Sequence, residues 1–223
     1  MAETSAALSA TLGIILAGGR ARRLGGQDKS LLPLGGRPLL AHVIDRAKPQ
    51  VAALALSANG DPARFADFGL PVLADAVPGF AGPLAGILAA LDWAAARPGI
   101  ACVASFACDT PFFPRDLVAR LAAARGREHA AIASAAAAGR VHPVFALWPV
   151  EQRAALRRAL EEEGLRKVDA WTARHPFARV EFPALPIDPF FNINTSADLA
   201  RAEALLPAGN STDNARRPGT ESE

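Results

Sequence analysis

The chain has 223 residues, half of them apolar with alanine foremost, which is enough for one large α/β domain with a real core. The net charge is +2 and the cations form no broad basic face with interleaved aromatics, which excludes nucleic acid as a partner. There is no apolar run of about 18 residues, so no membrane span is expected, and Met1–Thr11, small and polar without Lys or Arg, does not read as a secretory signal.

In chain order, Gly13–Leu16 reads as a first strand, Gly35-Gly36-Arg37-Pro38 as a turn and Leu39–Ala47 as a helix. Ala52–Ala58 is a second strand. Asp61–Phe68 is a short helix opening on Asp-Pro, an N-cap followed by proline at N1. Val72–Ala74 is a third strand. Pro83–Ala96 is a long helix with an apolar face at Leu84, Ile87, Leu88 and Leu91. Ile100–Ala107 is apolar on both faces, as a central parallel strand should be, and Arg115–Ala124 is the next helix. This alternation predicts an α/β fold: an open, mainly parallel twisted sheet with helices on both faces.

The second half is less regular. Ala130–Ala135 and Val141–Leu147 are strand candidates flanking Gly139-Arg140. Glu151–Glu162 is an amphipathic helix that Gly164 would end, and Ala170–Ala173 is a further helical piece. Phe177–Phe182 and Pro189–Phe191 read as extended. Thr195 starts a last helix, with Asp198 in a Thr-x-x-Asp capping box. No internal repeat is evident. One domain is expected over residues 12–206, with a flexible segment at 1–11 and a disordered tail at 207–223 that is rich in Ser, Thr, Asn, Arg and Glu. The two cysteines, Cys102 and Cys108, lie six residues apart on one strand face. At about 20 Å they are too far apart to pair, so buried free thiols are expected.

The most informative stretch follows the first strand. Leu16-Ala17-Gly18-Gly19-Arg20-Ala21-Arg22-Arg23-Leu24-Gly25-Gly26-Gln27-Asp28-Lys29 combines four glycines with four cations. Glycines let backbone approach a ligand and adopt φ > 0, N–H groups serve as donors, and Arg and Lys add charge, so the loop suits a polyphosphate. It is not a P-loop, because Lys29-Ser30 follows Asp28 rather than glycine, and Gly-x-Gly-x-x-Gly is absent. In open α/β sheets ligands bind beyond the carboxyl ends of the strands. Leu16–Gly19, Ser57–Asn59, Asp75 and Asp109 all fall at such ends, which points to one crevice. By residue chemistry alone, Asp109 is either a hard Mg²⁺ ligand or the opening of an Asp-Thr-Pro turn. Lys29 is either a phosphate ligand or a solvated lysine. Asn192 and Asn194 alternate with apolar residues and so share one face, where they fix a polar group or cap the following helix.

The pattern resembles the nucleotidyltransferases with the signature Leu-Ala-[Gly/Ala]-Gly-x-x-x-Arg-[Met/Leu]-Gly-x-x-x-Lys. Within them it is most similar to the molybdenum cofactor guanylyltransferase family, over about Leu12 to Leu206. Asp28-Lys29-Ser30-Leu31-Leu32, Gly82-Pro83-Leu84-Ala85-Gly86, Cys108-Asp109-Thr110-Pro111, His142-Pro143 and Phe191-Asn192-Ile193-Asn194-Thr195 carry the resemblance in order.

The resemblance implies a Rossmann-like nucleotidyltransferase fold. About 12–125 would hold nucleotide and about 126–206 the acceptor. It implies transfer of GMP from GTP to the terminal phosphate of Mo-molybdopterin, with release of pyrophosphate. Lys29, Asp109 and Arg23 would be catalytic, and Asp109 would bind Mg²⁺. Leu16, Ala17, Gly18, Gly19, Lys29, Ser57, Asp75, Gly86 and Asp109 would bind nucleotide, and Asn192 and Asn194 the pterin. Ser57 departs from the asparagine common in relatives and shortens that contact. Gly18, where relatives using CTP commonly carry alanine, favours guanine.

His142 falls on the acceptor side, whereas His42, His129 and His175 carry no assigned chemistry. The expected setting is the cytoplasm and the expected state a monomer, with transient contact to molybdoenzymes or cofactor-delivery proteins. The competing readings are a molybdopterin cytidylyltransferase or sugar-phosphate nucleotidyltransferase, and a non-catalytic nucleotide or molybdopterin carrier.

Overall fold

The structure is a computed structural model that describes residues 7–18, 28–77, 79, 82–185 and 187–206. Its elements, in chain order, are β1 (Thr11–Leu16), β2 (Pro33–Leu34), β3 (Arg37–Pro38), α1 (Leu39–Ala47), β4 (Ala53–Ser57), β5 (Val72–Leu73), α2 (Pro83–Ala95), β6 (Cys102–Ala107), α3 (Leu117–Arg127), β7 (Ile132–Ala137), β8 (Arg140–Pro149), α4 (Arg153–Glu161), α5 (Val168–Thr172), β9 (Phe177–Phe182) and α6 (Ser196–Ala204). Short 3₁₀ turns occupy Lys29–Leu31, Lys48–Gln50, Pro62–Phe68 and Val150–Gln152.

Seven strands form one open sheet in the order β5-β4-β1-β6-β8-β7-β9. Pairing is parallel except along β8, which runs antiparallel to both β6 and β7. The register matters more than the count. Leu16 is level with Ser57 on one side and Ala107 on the other, and Ser57 is level with Leu73. Four carboxyl ends therefore finish in one row, and whatever follows each strand emerges along a single edge.

Helices cover both faces. On one, α1 and α3 bury Leu40, Val43, Leu117 and Leu121 against Ile15, Leu56 and Phe106. On the other, α2 and α4 bury Ile87, Leu91, Leu156 and Leu160 against Leu12, Ile14 and Val103, with Trp171 of α5 beside them. The central strands β1, β4 and β6 carry apolar side chains to both layers, which is why they read as continuous apolar runs. Gly13 makes this packing possible, since a Cβ there would lie 2.6 Å from Leu54 Cδ1 and 3.0 Å from Val51 Cγ2. A third apolar group, Leu32, Leu34, Leu39, Ile193 and Ala202, fastens the C-terminal segment onto the β2–β3 hairpin.

The sequence expectations meet the structure closely in the first half. Asp61 caps the Pro62–Phe68 turn by accepting from the Ala63 amide at 2.9 Å. Two details differ. Gly35 and Gly36 alone form the turn, at φ +56 and +78, while Arg37-Pro38 is already strand β3. Two left-handed residues match the twist of a tight hairpin. Pro189–Phe191 is not extended: Asp188 bends it, accepting from the Phe190 amide through Oδ1 and from the Phe191 amide through its carbonyl, an Asx-type turn. Cys102 and Cys108 are free and buried on the same side of the sheet. Among the described residues no helix is long and apolar enough to cross a membrane.

Candidate active site

A cavity of about 900 Å³ opens at the aligned strand ends. Leu16 and Gly18 at the end of β1, Ser57 and Asn59 at the end of β4, Asp75 after β5, and Cys108 and Asp109 after β6 all line it, together with Asp28, Lys29 and Arg64. Residues up to 93 positions apart in sequence therefore share one wall because their strands end level.

Lys29 is the centre of the arrangement. Its ammonium donates to Asp109 Oδ2 at 2.6 Å and to Asn194 Oδ1 at 2.6 Å. The pair is largely shielded, with the Lys29 side chain 13% and the Asp109 side chain 20% exposed. Asp28 sets the local backbone. It N-caps the Lys29–Leu31 turn, accepting from the Ser30 amide at 3.1 Å and the Ser30 hydroxyl at 2.6 Å. Asp109 is held from behind, since its carbonyl accepts from the Ile193 amide at 2.9 Å. The buried Thr110 hydroxyl lies 3.1 Å from Asp109 Oδ1 and 2.5 Å from Asn192 Oδ1. Ile193 is buried while Asn192 and Asn194 are exposed, so the two amides share one face, where Asn192 meets Thr110 and Asn194 meets Lys29. Asp198 completes the support. It accepts from the Asn194 amide at 3.0 Å and the Thr195 amide at 2.9 Å in a full capping box. Those backbone donors pull its carboxyl below the usual aspartate range.

The other rim is a clasp. Asn59 donates from Nδ2 to Asp75 Oδ2 at 2.7 Å and accepts from the Asp75 amide through Oδ1 at 3.0 Å. This holds the ends of β4 and β5 together. Arg64 bridges toward Asp28, with Nε 3.0 Å from Asp28 Oδ2, and donates from Nη2 to the Asn59 carbonyl at 2.8 Å.

Two of the expected nucleotide residues sit behind the wall. Ala17 is buried and donates its amide to the Ser57 carbonyl at 2.9 Å. Gly86 is buried on α2, where a Cβ would collide with the Ser57 hydroxyl and lie 2.9 Å from Leu16 Cδ2. Its absent side chain lets the helix press against the strand ends, while Gly82 and Pro83 at the helix start face the cavity. Among the described residues, nothing lies within 4 Å of where a Cβ on Gly18 would stand. Gly19 and Arg23, both expected at the site, lie outside the described residues, as do Arg20, Arg22 and Gly26.

Sequence reasoning assigned no role to Asn59, Asp28, Thr110 or Arg64. The first three stand inside or beside motifs, next to residues that were singled out. Arg64 had no signal, because a cation on a short turn is normally a solvated one. His142 on β8 stacks on Phe190 with centroids 4.6 Å apart, and burial keeps its imidazole below the usual histidine range. Cys108 faces the cavity, and burial foremost, with the Asp109 charge beside it, pushes its thiol far above the usual range.

An open, mainly parallel sheet with a charged crevice across the carboxyl ends of its strands defines a nucleotide-handling α/β enzyme. The MobA-like NTP transferase domain model matches residues 13–177, and the chain belongs to that family of nucleotidyltransferases. The molybdenum cofactor guanylyltransferase of Rhodopseudomonas palustris strain HaA2 is 62% identical over 193 residues, covering 86% of this chain and 90% of that protein. The one from Bradyrhizobium sp. strain ORS 278 is 57% identical, covering 91% and 96%. Among solved structures, molybdopterin-guanine dinucleotide biosynthesis protein A from Archaeoglobus fulgidus superposes with a TM-score of 0.67 at 24% identity, covering 86% and 97%. Rv0371c from Mycobacterium tuberculosis, in complex with manganese, superposes with a TM-score of 0.64 at 20% identity, covering 89% and 100%.

Proposed function

We propose that this chain transfers GMP from GTP to the terminal phosphate of Mo-molybdopterin, forming the guanine dinucleotide cofactor and pyrophosphate. The observation that carries the reading is the Lys29 ammonium, which joins Asp109 on the strand-end row to Asn194 on the C-terminal segment. One cation thus stands where a nucleotide entering from β1, β4 and β5 meets an acceptor held against Asn192 and Asn194. The identity to named guanylyltransferases supports the choice of donor and acceptor.

In this reaction an oxygen of the acceptor phosphate attacks the α-phosphorus of GTP, the new P–O–P link forms, and the bond to the β-phosphate breaks. The acceptor is a phosphate monoester with a second pKa near 6, so at neutral pH it is a dianion and needs no strong base. The cavity fits that chemistry: among the described residues no histidine lines it, and burial pushes the Cys108 thiol above the usual range. The protein's task is to bring two mutually repelling anions into line and to balance charge on the leaving pyrophosphate. Lys29 does this from the shared wall. Arg23, outside the described residues, is the second cation assigned to the phosphates. Asp75 and Ser57 meet the nucleoside, and Asn192 and Asn194 orient the pterin.

Asp109 would hold Mg²⁺. Among the described residues no cluster of three His, Cys, Asp or Glu could hold a metal alone. A carboxylate facing a polyphosphate cavity, with Asp28 and Asp75 elsewhere on its wall, nevertheless fits an ion that takes one or two carboxylates and fills its shell with phosphate oxygens and water. When bound, the ion would neutralise charge on the phosphates.

The test is to incubate purified protein with Mg²⁺, Mo-molybdopterin and either GTP or CTP. GTP-dependent dinucleotide and pyrophosphate are expected in equal amounts. Preferential turnover of CTP overturns the guanylyl assignment, and absence of pyrophosphate with both nucleotides points to a carrier.

A further inference from the structure

We infer that Arg64 is the positioning residue for Lys29, acting through Asp28 and tying the two rims of the nucleotide cradle together. The inference rests on the reading of the cavity as a nucleotide site. Arg64 lies on the Pro62–Phe68 turn, outside every motif that marks the site. Its guanidinium nonetheless reaches Asp28 Oδ2 at 3.0 Å and the Asn59 carbonyl at 2.8 Å, and its Cζ lies over the buried Phe65 ring, 4.7 Å from the centroid. Bound at two points, it is a tethered strut, though 32% of its side chain remains exposed.

What it fixes is consequential at both ends. Asp28 caps the turn that carries Lys29 and accepts twice from Ser30, which is fully buried. Asn59 clasps Asp75 at two points. One guanidinium therefore sets the relative position of the Lys29 turn and the β4–β5 end. It also answers an electrostatic problem. Asp28 is a carboxylate on the wall of a cavity proposed to take a polyphosphate, and without a partner it would repel that ligand. Arg64 supplies the partner. A lysine could meet Asp28 but lacks the planar fork that reaches Asn59 as well.

The experiment compares the full chain with Arg64→Ala, Arg64→Lys, Asp28→Asn and the double variant Asp28→Asn/Arg64→Ala. Amide exchange at Ser30 in ligand-free protein is expected to be about tenfold faster in Arg64→Ala, with β1 amides unchanged. The KM for GTP is expected to rise about tenfold with a smaller change in kcat. Adding Arg64→Ala to Asp28→Asn is expected to cost little more, because the two act as one unit. Arg64→Lys, which keeps the fold if Arg64→Ala does not, should recover part of the loss.

Unchanged Ser30 exchange in both Arg64 variants overturns the inference. So does strict additivity of the two substitutions in KM, which would mean Arg64 touches nucleotide itself. Faster Ser30 exchange in a chain that fails to use GTP supports the Arg64 role and overturns only the assigned reaction.

Discussion

The two rims of the cavity are built in different ways. On the rim proposed to take the nucleotide, Ser57, Asn59 and Asp75 lie at the ends of neighbouring parallel strands that finish level, and their mutual bonds span at most 16 residues. On the rim proposed to meet the acceptor, Lys29 bonds to Asp109 and Asn194, which lie 80 and 165 residues from it. The first rim follows from strand order. The second exists only because the C-terminal segment docks, with Ile193 buried and bonded to the Asp109 carbonyl. A site made by sheet register tolerates local change, whereas one made by docking depends on a few long-range bonds.

The strongest test of this contrast removes the junction. Asp109→Ala is expected to lower dinucleotide formation about 10²- to 10³-fold, as does Lys29→Ala, with the thermal melt retained. The double variant should be scarcely worse than either single one, because the two groups form one pair. Near-normal turnover in both single variants would break the comparison.

Asn194→Ala sharpens it. The KM for the acceptor is expected to rise about tenfold, with the KM for GTP moving less. An equal rise in both would mean that the acceptor rim is not separable from the nucleotide rim.

On the nucleotide side, Gly86→Val should press a branched side chain into Ser57 and Leu16, destabilising the chain by about 1–3 kcal/mol. A scanning melt would show this as a fall of about 2–4 °C per kcal/mol. An unchanged melt would mean that α2 does not press on the strand ends.

The smallest effect concerns pH. Asp198 has a folded pKa below its unfolded value. Its contribution is therefore present above the ordinary aspartate value of about 4 and is lost as the pH falls through the lower folded value. Acidification below about pH 4 should loosen the Asn194 amide, read by its NMR shift, and Asp198→Asn should remove that transition.

Much of this molecule was legible before its coordinates. The apolar runs at β1, β4 and β6 announce buried parallel strands because each must satisfy two helical layers. Asp61 and Thr195 announce helix starts because only a short oxygen-bearing side chain can cap there. The turn at Asp188 was missed because an Asx bond interrupts an otherwise apolar stretch. The assignment of Gly86 to nucleotide binding meets a different geometry, since its neighbours are Ser57 and Leu16 rather than open cavity.

Chemistry carried by residue type at fixed local spacing was determined by the chain itself: the glycine-rich, cationic sequence after β1, Asp109 in its Asp-Thr-Pro motif, and the alternation of Asn192 and Asn194. Such features depend on neighbours a few positions away. The tertiary structure alone decided that Lys29 joins Asp109 to Asn194, and that Arg64 braces Asp28. Those contacts are set by strand register and by the docking of one apolar segment, quantities that no local window of sequence contains.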